Sequence, residues 1–258
     1  MRPYQQPLFS KTVAGITAIA LGFMAMVPSV GAQTSDNKTI QDTQIIFNDP
    51  TPPQQGSPSG RQRGGASRGN CRQFESLTAL LPAKGKAWGQ TMSDRPTVWV
   101  YLPAPLTEQT PIEFVVQDAA DNYVYNTRMT NPTTKPGLIR LSMPVTTQPL
   151  EVGKAYTWTL SVYCDPAKPS SAVFVKGIIQ RVAAADLQAP LAQATPLERV
   201  RLYAARGLWY DALTAIADLY QASPNQPAIG NAWRSLLQQT NLEPLTQMPF
   251  SSCCTPKP

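Results

Sequence analysis

The strongest constraint on the fold is an alternation of apolar and polar side chains between residues 155 and 164. Every second position there is apolar or aromatic, namely Tyr156, Trp158, Leu160, Val162 and Cys164. A period of two places these side chains on one face of a β-strand, because successive side chains point to opposite faces. The alternation therefore predicts a strand whose apolar face, with Trp158, Leu160 and Val162, lies in a core.

Short alternating runs recur from residue 97 to residue 182, each closed by Pro, Gly, Asn or Asp. The 26 prolines, roughly a tenth of the chain, favour turns and short strands. Strands are predicted at 97–102, 112–117, 123–130, 138–143, 155–164 and 172–182, with Gly177 at a β-bulge. Such spacing is typical of a β-sandwich. The predicted fold class is α+β: an antiparallel β-sandwich of about six to eight strands over 71–182, followed by a helical segment over 183–242.

After the last strand the period changes to that of helices. Thr195 and Glu198 form a capping box, with Pro196 at the first helical position. These residues predict a helix over 196–206, and Gly207 is expected to end it.

Two further helices are predicted over about 209–221 and 227–240. The helices predicted over 196–206 and 209–221 have small, apolar and helix-ending residues where one tetratricopeptide repeat has them. Such repeats normally occur in stacks of at least three. Two interpretations stay open: a hairpin packed on the sandwich, or an adaptor that docks a partner through Tyr203, Trp209 and Tyr210. Residues 243–258 are expected to form a flexible tail.

The first 32 residues have the layout of a secretory signal. An uncharged apolar run of about 15 residues follows Lys11, and small residues precede a predicted cleavage site after Ala32. The run is shorter than the roughly 20 residues that a membrane-spanning helix needs, and no second run follows it. The chain is therefore predicted to be secreted or periplasmic, without a transmembrane segment after cleavage.

Residues 33–70 are rich in Gln, Ser, Thr, Pro and Gly, and they predict a disordered leader. The chain has 22 basic and 16 acidic residues. Two of the basic residues lie in the predicted signal, and four are arginines between residues 50 and 74. The rest of the chain therefore has equal numbers of basic and acidic residues. Arg61, Arg63 and Arg68 resemble an RNA-binding arginine-glycine stretch. In an exported chain no nucleic acid is expected, so the alternatives are weak, salt-sensitive contact with an anionic polysaccharide and a solvated linker.

The chain has no histidine, which excludes serine triads, cysteine-histidine dyads and histidine-bearing zinc sites. Its cysteines are expected to be oxidised after export. A disulfide is predicted between Cys71 and Cys164, closing a loop of about 90 residues and contributing roughly 4 kcal/mol. A mutual bridge between the adjacent Cys253 and Cys254 is disfavoured, and an intermolecular disulfide and free thiols both stay open. No CxxC spacing is present, so no metal or cofactor is predicted.

Carboxylates are the remaining acid-base candidates. Asp118 and Asp165 are considered for a histidine-free glycan hydrolase, which needs two carboxylates about 5 to 9 Å apart. Both lie in turn contexts, where a short acidic side chain ordinarily bonds its own backbone. Most aromatic residues, Tyr123 included, are expected to pack in the sandwich. The candidate ligand surface, suited to a carbohydrate, consists of Trp99, Tyr101 and Tyr163, on the face opposite the predicted core residues.

A series of short motifs resembles a cyanobacterial family of secreted domains of unknown function. The motifs are, in order, LTALLP from Leu77, RPTVW from Arg95, EFVVQD from Glu113, PLE from Pro149, CDP from Cys164, LYA from Leu202 and GLWYDAL from Gly207. The resemblance covers roughly residues 71–248 and rests on the ordered combination. It implies an envelope or secreted protein and brings no catalytic residue. The function expected is therefore a non-enzymatic exported module that binds an envelope protein or an anionic polysaccharide.

Overall fold

The computed structural model of the chain describes residues 44–51, 62–63, 71–82, 87–130, 134–165 and 167–254. Within these ranges the strands precede the α-helices, so the predicted α+β fold is confirmed. The predicted signal over 1–32 and most of the predicted leader, with Arg61 and Arg68, lie outside the described residues. None of the described helices combines the length and the apolar composition that crossing a membrane requires.

Eight strands form two sheets in the described part of the chain. The strands are β1 (Thr78–Ala79), β2 (Trp88–Thr91), β3 (Thr97–Leu102), β4 (Ile112–Gln117), β5 (Tyr123–Met129), β6 (Gly137–Ser142), β7 (Ala155–Val162) and β8 (Val173–Arg181). One sheet has the order β1-β3-β6, and the other has the order β2-β8-β7-β4-β5. Neighbouring strands are antiparallel, except that β2 runs parallel to β8.

The predicted alternation is present in the central strands. In β7 the side chains of Tyr156, Trp158, Leu160 and Val162 are buried, and the residues between them are half-buried. The six predicted strands all form, with bounds within two residues of those expected. The strands β1 and β2 were not predicted, because these short runs of two and four residues are almost entirely buried and show no alternation.

Gly177 does not form the predicted bulge. The strands β7 and β8 keep an unbroken register across it, with Trp158 opposite Gly177. A Cβ atom at this position would lie 2.5 Å from Leu81 Cδ1 and 2.6 Å from Trp158 Nε1. Glycine is therefore present to make room for these two side chains, and the shift in register of the sheet falls instead between β4 and β5.

Four α-helices follow the strands in the described residues: α1 (Gln188–Gln193), α2 (Pro196–Ala205), α3 (Trp209–Ala222) and α4 (Pro227–Gln238). The helix α2 begins with the predicted capping box, in which the Thr195 N–H donates to Glu198 Oε2 at 2.7 Å. Gly207 follows its C-cap with a φ of 75°. A Cβ atom there would lie 2.7 Å from the carbonyl oxygen of Asn48, so glycine is needed for packing as well as for the turn.

The first turn of α3 joins the two sheets. Trp209 Nε1 donates to the carbonyl of Leu80, beside β1, at 2.9 Å. Tyr210 Oη donates to the carbonyl of Ile178 in β8 at 2.8 Å and accepts from Trp158 Nε1 in β7 at 2.9 Å. Burial raises the pKa of Tyr210 far above its ordinary value, so the hydroxyl stays protonated. The helical hairpin is therefore packed on the sandwich.

Residues 44–51 pack on the helices, although a disordered leader was predicted there. Ile45 is fully buried, and its main chain is hydrogen-bonded to α4. The Phe47 ring meets Trp209 edge to face, with 5.1 Å between ring centroids. Asn48 donates to two carbonyl groups at the end of α2. Burial of this short apolar segment offsets the entropy lost on ordering it.

Residues 243–254, the described part of the predicted flexible tail, are also packed. The N–H of Leu138, in β6, donates to the carbonyl of Pro249 at 2.8 Å, and the N–H of Ser251 donates to the carbonyl of Leu138 at 2.9 Å. These bonds pair residues 249–251 with the beginning of the outer edge of β6. Cys253 and Cys254 form a disulfide with each other, rather than the intermolecular or free states left open by the sequence.

The predicted disulfide between Cys71 and Cys164 is present, with 5.5 Å between the Cα atoms and a sequence separation of 93. It joins the start of the sandwich to the residues that follow β7.

Candidate functional site

Trp99 faces away from Val98 and Val100, as the alternation predicted, but its face of the sheet is covered. The residue is only 3% exposed. Its indole Nε1 donates to Thr214 Oγ1 of α3 at 3.2 Å, and the Phe250 ring lies edge to face with it at 5.6 Å. Trp99 therefore belongs to the interface between the sheet and the helices, and it cannot form part of an open ligand surface.

Tyr101 and Tyr163, the other two aromatic residues of that predicted surface, lie on different sheets. Tyr101 is half-buried in β3, opposite Leu138. Tyr163 follows β7, where its Oη donates to Glu113 Oε2 at 2.6 Å and the Arg128 guanidinium lies 4.6 Å from the ring centroid. Burial and the neighbouring Glu113 carboxylate raise the pKa of Tyr163. The structure does not bring the predicted aromatic trio together.

Arg63 is the one member of the predicted arginine set within the described residues. Its side chain is exposed, and its main chain forms an antiparallel bridge with Thr78 in β1. The carbonyl of the preceding Gln62 accepts the N–H of Ala79 at 2.7 Å. Arg63 is thus held at the outer edge of β1 as an exposed residue.

Asp118 and Asp165 lie toward opposite ends of the five-stranded sheet. Asp118 follows Gln117, which lies opposite Thr157, whereas Asp165 lies beyond Val162 at the far end of β7. The five residue steps from Thr157 to Val162 span about 17 Å at about 3.3 Å per residue. Glycosidase carboxylates lie about 5 to 9.5 Å apart. This pair therefore cannot act together on one glycosidic bond.

Each of these aspartates also serves its own turn. Asp118 accepts hydrogen bonds from the Asn122 side chain at 3.0 Å, the Asn122 N–H at 2.9 Å and the Ala120 N–H at 2.8 Å. The bond from the Asn122 side chain is the main reason that the pKa of Asp118 is lowered. Asp118 is therefore ionised near neutrality and is unsuited to donating a proton. Asp165 Oδ1 accepts the Ala167 N–H at 3.0 Å.

The adaptor interpretation needed three aromatic residues on the surface of the hairpin. Trp209 and Tyr210 are buried in the interface with the sandwich, and Tyr203 is half-buried. Burial is the main reason that the pKa of Tyr203 is raised. The hairpin therefore does not present the predicted aromatic docking surface.

A pocket of about 270 Å³ lies between α3 and the residues that follow β2. Asp211 lines it, and burial raises the pKa of this carboxyl group to about 6. Asp211 Oδ2 accepts the Met92 N–H at 3.1 Å, and Thr91 and Ser93 donate further hydrogen bonds. These contacts make Asp211 an anchor for the chain after β2.

A larger cleft, of about 520 Å³, opens at the end of the five-stranded sheet where β5 and β7 begin. We call it the Tyr123 cleft, because Tyr123 is 66% exposed at its side and is its most accessible aromatic ring. The polar residues that line it are Asp118, Asn122, Gln148, Glu151 and Lys154. An accessible ring beside several hydrogen-bonding groups is the composition of a binding site for a small polar ligand.

The loop on one side of the cleft is held in place by hydrogen bonds. Lys154 Nζ donates to Glu151 Oε1 at 2.8 Å, and the Glu151 N–H donates to Tyr156 Oη at 2.9 Å. The bond to Glu151 raises the pKa of Lys154. With Asp118 and Glu151 against one ammonium group, the cleft carries a net charge of about −1 near neutrality. It is therefore better suited to uncharged hydroxyl groups than to an anion.

Sequence reasoning missed most of this cleft. Gln148, Glu151 and Lys154 lie in a loop with no periodic pattern, and Tyr123 was expected to pack in the sandwich. One signal was available: Tyr123 follows directly after the turn built by Asp118, at a strand end, where an aromatic side chain is readily left exposed.

The fold and the cleft define a class of protein: a disulfide-linked β-sandwich with packed C-terminal helices and an open polar cleft at one end of its larger sheet. Residues 63–250 match the family model described as Domain of Unknown Function (DUF928), and the chain belongs to this family. No curated protein shows a significant match to the chain.

Proposed function

We propose that this chain is a non-enzymatic, exported module of the cyanobacterial cell envelope that binds a polysaccharide in the Tyr123 cleft. The observation that carries the proposal is the exposed Tyr123 ring beside the hydrogen-bonding groups of Gln148, Glu151 and Lys154. A sugar ring has an apolar face of C–H groups and a rim of hydroxyl groups. Tyr123 offers a rigid surface for the former, and the polar groups can bond the latter.

Binding is favoured over hydrolysis by the state of the acids around the cleft. Asp118 accepts three hydrogen bonds within its own turn, and its pKa is lowered. Glu151 is engaged with Lys154. Hydrolysis of a glycoside needs a carboxylic acid that stays protonated until it meets the leaving group. Asp118 does not meet that requirement, but as a carboxylate it remains a good acceptor for a hydroxyl group.

Export is supported by two observations. The first 32 residues have the layout of a secretory signal. The disulfide between Cys71 and Cys164 is of a kind that persists in oxidising compartments. The proposed cell-envelope location combines these two observations with the resemblance to cyanobacterial secreted domains.

The arginine stretch supplies the complementary charge. The cleft itself favours uncharged sugar rings, whereas Arg63 is exposed and belongs to a segment with further arginines at 61 and 68. In this proposal the cleft recognises the sugar ring, and the arginines add weak, salt-sensitive attraction to acidic groups elsewhere on the polymer.

The proposal is tested by affinity electrophoresis of the exported chain through gels that contain a neutral glucan or a uronate-bearing polysaccharide. Tyr123→Ala should raise the dissociation constant obtained from the retardation about 5-fold to 30-fold. This change is the equivalent of about 1 to 2 kcal/mol for a lost stacking surface. Tyr123→Phe should retain binding because the ring remains. The matched control is Ile46→Ala, which removes a side chain of similar exposure, 64%, outside the cleft.

Two results would contradict the proposal. One is the absence of retardation in either gel by the unchanged chain, which would favour an envelope protein as the partner. The other is equal retardation of Tyr123→Ala and the unchanged chain, which would move the binding surface away from the cleft.

A further inference from the structure

Two of the four outer sheet edges are bonded to other segments in the described part of the chain, each over a short stretch. Residues 62–63 pair with β1, and residues 249–251 bond to β6. The helix α3 packs on the face of the sheet at β2, where Gly89 lies close to the side chains of Trp209 and Tyr210. No described segment pairs with the outer edge of β5. An uncovered edge strand offers a row of main-chain donors and acceptors to another strand.

The register shows which main-chain groups of β5 point outward. The N–H of Tyr163 donates to the carbonyl of Pro111 at 2.9 Å, so Pro111 and every second residue after it bond to β7. The residues between them bond to β5: Ile112, Phe114 and Val116, opposite Met129, Thr127 and Tyr125. The N–H and C=O groups of Asn126 and Arg128 therefore point away from the sheet.

The open part of the edge is short and well bounded. Between Val116 and Gln117 the register shifts, because Val124 is an extra residue in β5. Such a bulge interrupts regular pairing, so a new strand can pair only beyond it, along residues 125–129. Both outward-pointing residues in this stretch, Asn126 and Arg128, have exposed side chains.

We propose that β5 pairs antiparallel with β5 of a second copy of this chain, about a two-fold axis at Thr127. The two five-stranded sheets then become one sheet of ten strands. Asn126 lies opposite Arg128 of the partner subunit, and Arg128 lies opposite Asn126 of the partner subunit. Each of these two pairs exchanges two main-chain hydrogen bonds, and Thr127 faces its own counterpart between them.

The side chains favour this register over its neighbours. Shifting the strands by two residues one way would bring the two Arg128 side chains opposite each other, and like charges in that position are destabilising. Shifting them the other way would pair Arg128 with Val124, the bulged residue. In the proposed register Arg128 meets an amide, Thr127 meets Thr127, and Tyr125 meets Met129 of the partner subunit. A two-fold contact uses the β5 edge of both copies, so assembly through this edge stops at two copies.

The first test is sedimentation equilibrium of the exported chain with substitutions at Asn126. Asn126→Pro removes an outward N–H and leaves the bonds to β4 intact, since proline is tolerated at such edge positions. It removes two of the four hydrogen bonds between subunits and should raise the dimer dissociation constant about tenfold or more. The control Asn126→Ala keeps the N–H and should change it less than about threefold. A chain that stays monomeric at millimolar concentration, or equal constants for the two variants, would overturn the proposal.

The second test uses single cysteines and does not depend on the folding of a proline variant. Thr127→Cys places two thiols in a non-hydrogen-bonded pair with Cα atoms about 4.5 Å apart, within the range of a disulfide. In Asn126→Cys the two Cα atoms are about 8 to 9 Å apart, too far to be bridged. Mild oxidation with diamide should therefore link Thr127→Cys into dimers and leave Asn126→Cys monomeric. Equal linking of both variants, or linking of neither, would refute the two-fold axis at Thr127.

Discussion

Replacing Tyr210 by Phe tests whether the helices and the sandwich form one cooperative unit. The change removes one oxygen atom from the buried interface between α3 and the five-stranded sheet. That oxygen donates to the Ile178 carbonyl at 2.8 Å and accepts from Trp158 Nε1 at 2.9 Å. In Tyr210→Phe, the buried indole N–H of Trp158 loses its acceptor, and the Ile178 carbonyl, which also lies in the ladder between β2 and β8, loses one of its hydrogen bonds.

The magnitude follows from those two groups. Leaving a buried donor or acceptor unsatisfied costs about 1 to 3 kcal/mol. Phe fills nearly the same volume, so no large cavity adds to this cost, and its greater apolarity offsets a small part of it. We expect Tyr210→Phe to lower the free energy of unfolding by about 3 kcal/mol. For a chain of this size, that loss corresponds to a fall in melting temperature of about 6 to 12 °C.

The measurement is denaturant unfolding followed by circular dichroism and by tryptophan fluorescence, since Trp158 and Trp209 lie in the interface. The matched control is Tyr203→Phe in α2, because the hydroxyl of the half-buried Tyr203 forms no hydrogen bond with any of the described residues. It should change stability by less than about 0.5 kcal/mol. Equal effects of the two substitutions would refute the bridging role of Tyr210. Separate transitions for helix and sandwich would refute the cooperative unit.

Two further predictions concern Asp211 and a pair of glycines. Burial raises the pKa of Asp211 to about 6, so the folded chain binds this proton more tightly than the unfolded chain. The contribution of this proton to the free energy of unfolding is fully present below about pH 4. Up to about 3 kcal/mol of that free energy is lost as the pH rises through 6. Asp211→Asn should lack this loss when unfolding is compared at pH 4 and pH 7, and a pH dependence identical to that of the parent chain would contradict the assignment. Gly177→Ala should lower stability by about 1 to 3 kcal/mol because its Cβ would overlap Leu81. In the control Gly230→Ala, the nearest atom to the new Cβ is on the Tyr220 ring, 3.8 Å away, so this change should raise the free energy of unfolding by about 0.5 to 1 kcal/mol. Both variants are measured by thermal unfolding. If both glycine substitutions shifted stability in the same direction, the close packing around Gly177 would be contradicted.

Local patterns in the sequence predict the elements of this fold well. Alternation located the six longer strands, and the capping box of Thr195 and Glu198 located the start of α2. These signals are local, since each depends on side chains within one strand or one helical turn. The docking of residues 44–51 depends instead on partners about 190 positions away, such as Ser235. No local pattern specifies such a contact, so Ile45 and Phe47 could be recognised only as an apolar island.

The candidate site was harder to predict for a related reason. Alternation correctly assigned Trp99 to the face opposite the core, but it cannot tell whether a helix covers that face. The cover is supplied by Thr214 and Phe250, both more than 110 positions further along the chain. Conversely, Tyr123 is exposed because it begins an edge strand beside a loop. Which aromatic residues are accessible is thus decided by the order of strands and by the helices.

In the proposed dimer, the position of the two-fold axis determines how the two Tyr123 clefts are arranged. Tyr123 lies four residues from Thr127 in β5, so the clefts lie about 25 Å apart at about 3.3 Å per residue on each side of the axis. The axis is perpendicular to the ten-stranded sheet, so the two clefts lie at its opposite ends, each where β5 and β7 of one subunit begin. A polymer that spans two clefts meets the second at a high effective concentration, whereas a short oligosaccharide occupies one. Weak recognition by a single exposed tyrosine is therefore sufficient for a dimer to hold a long polysaccharide and release its fragments.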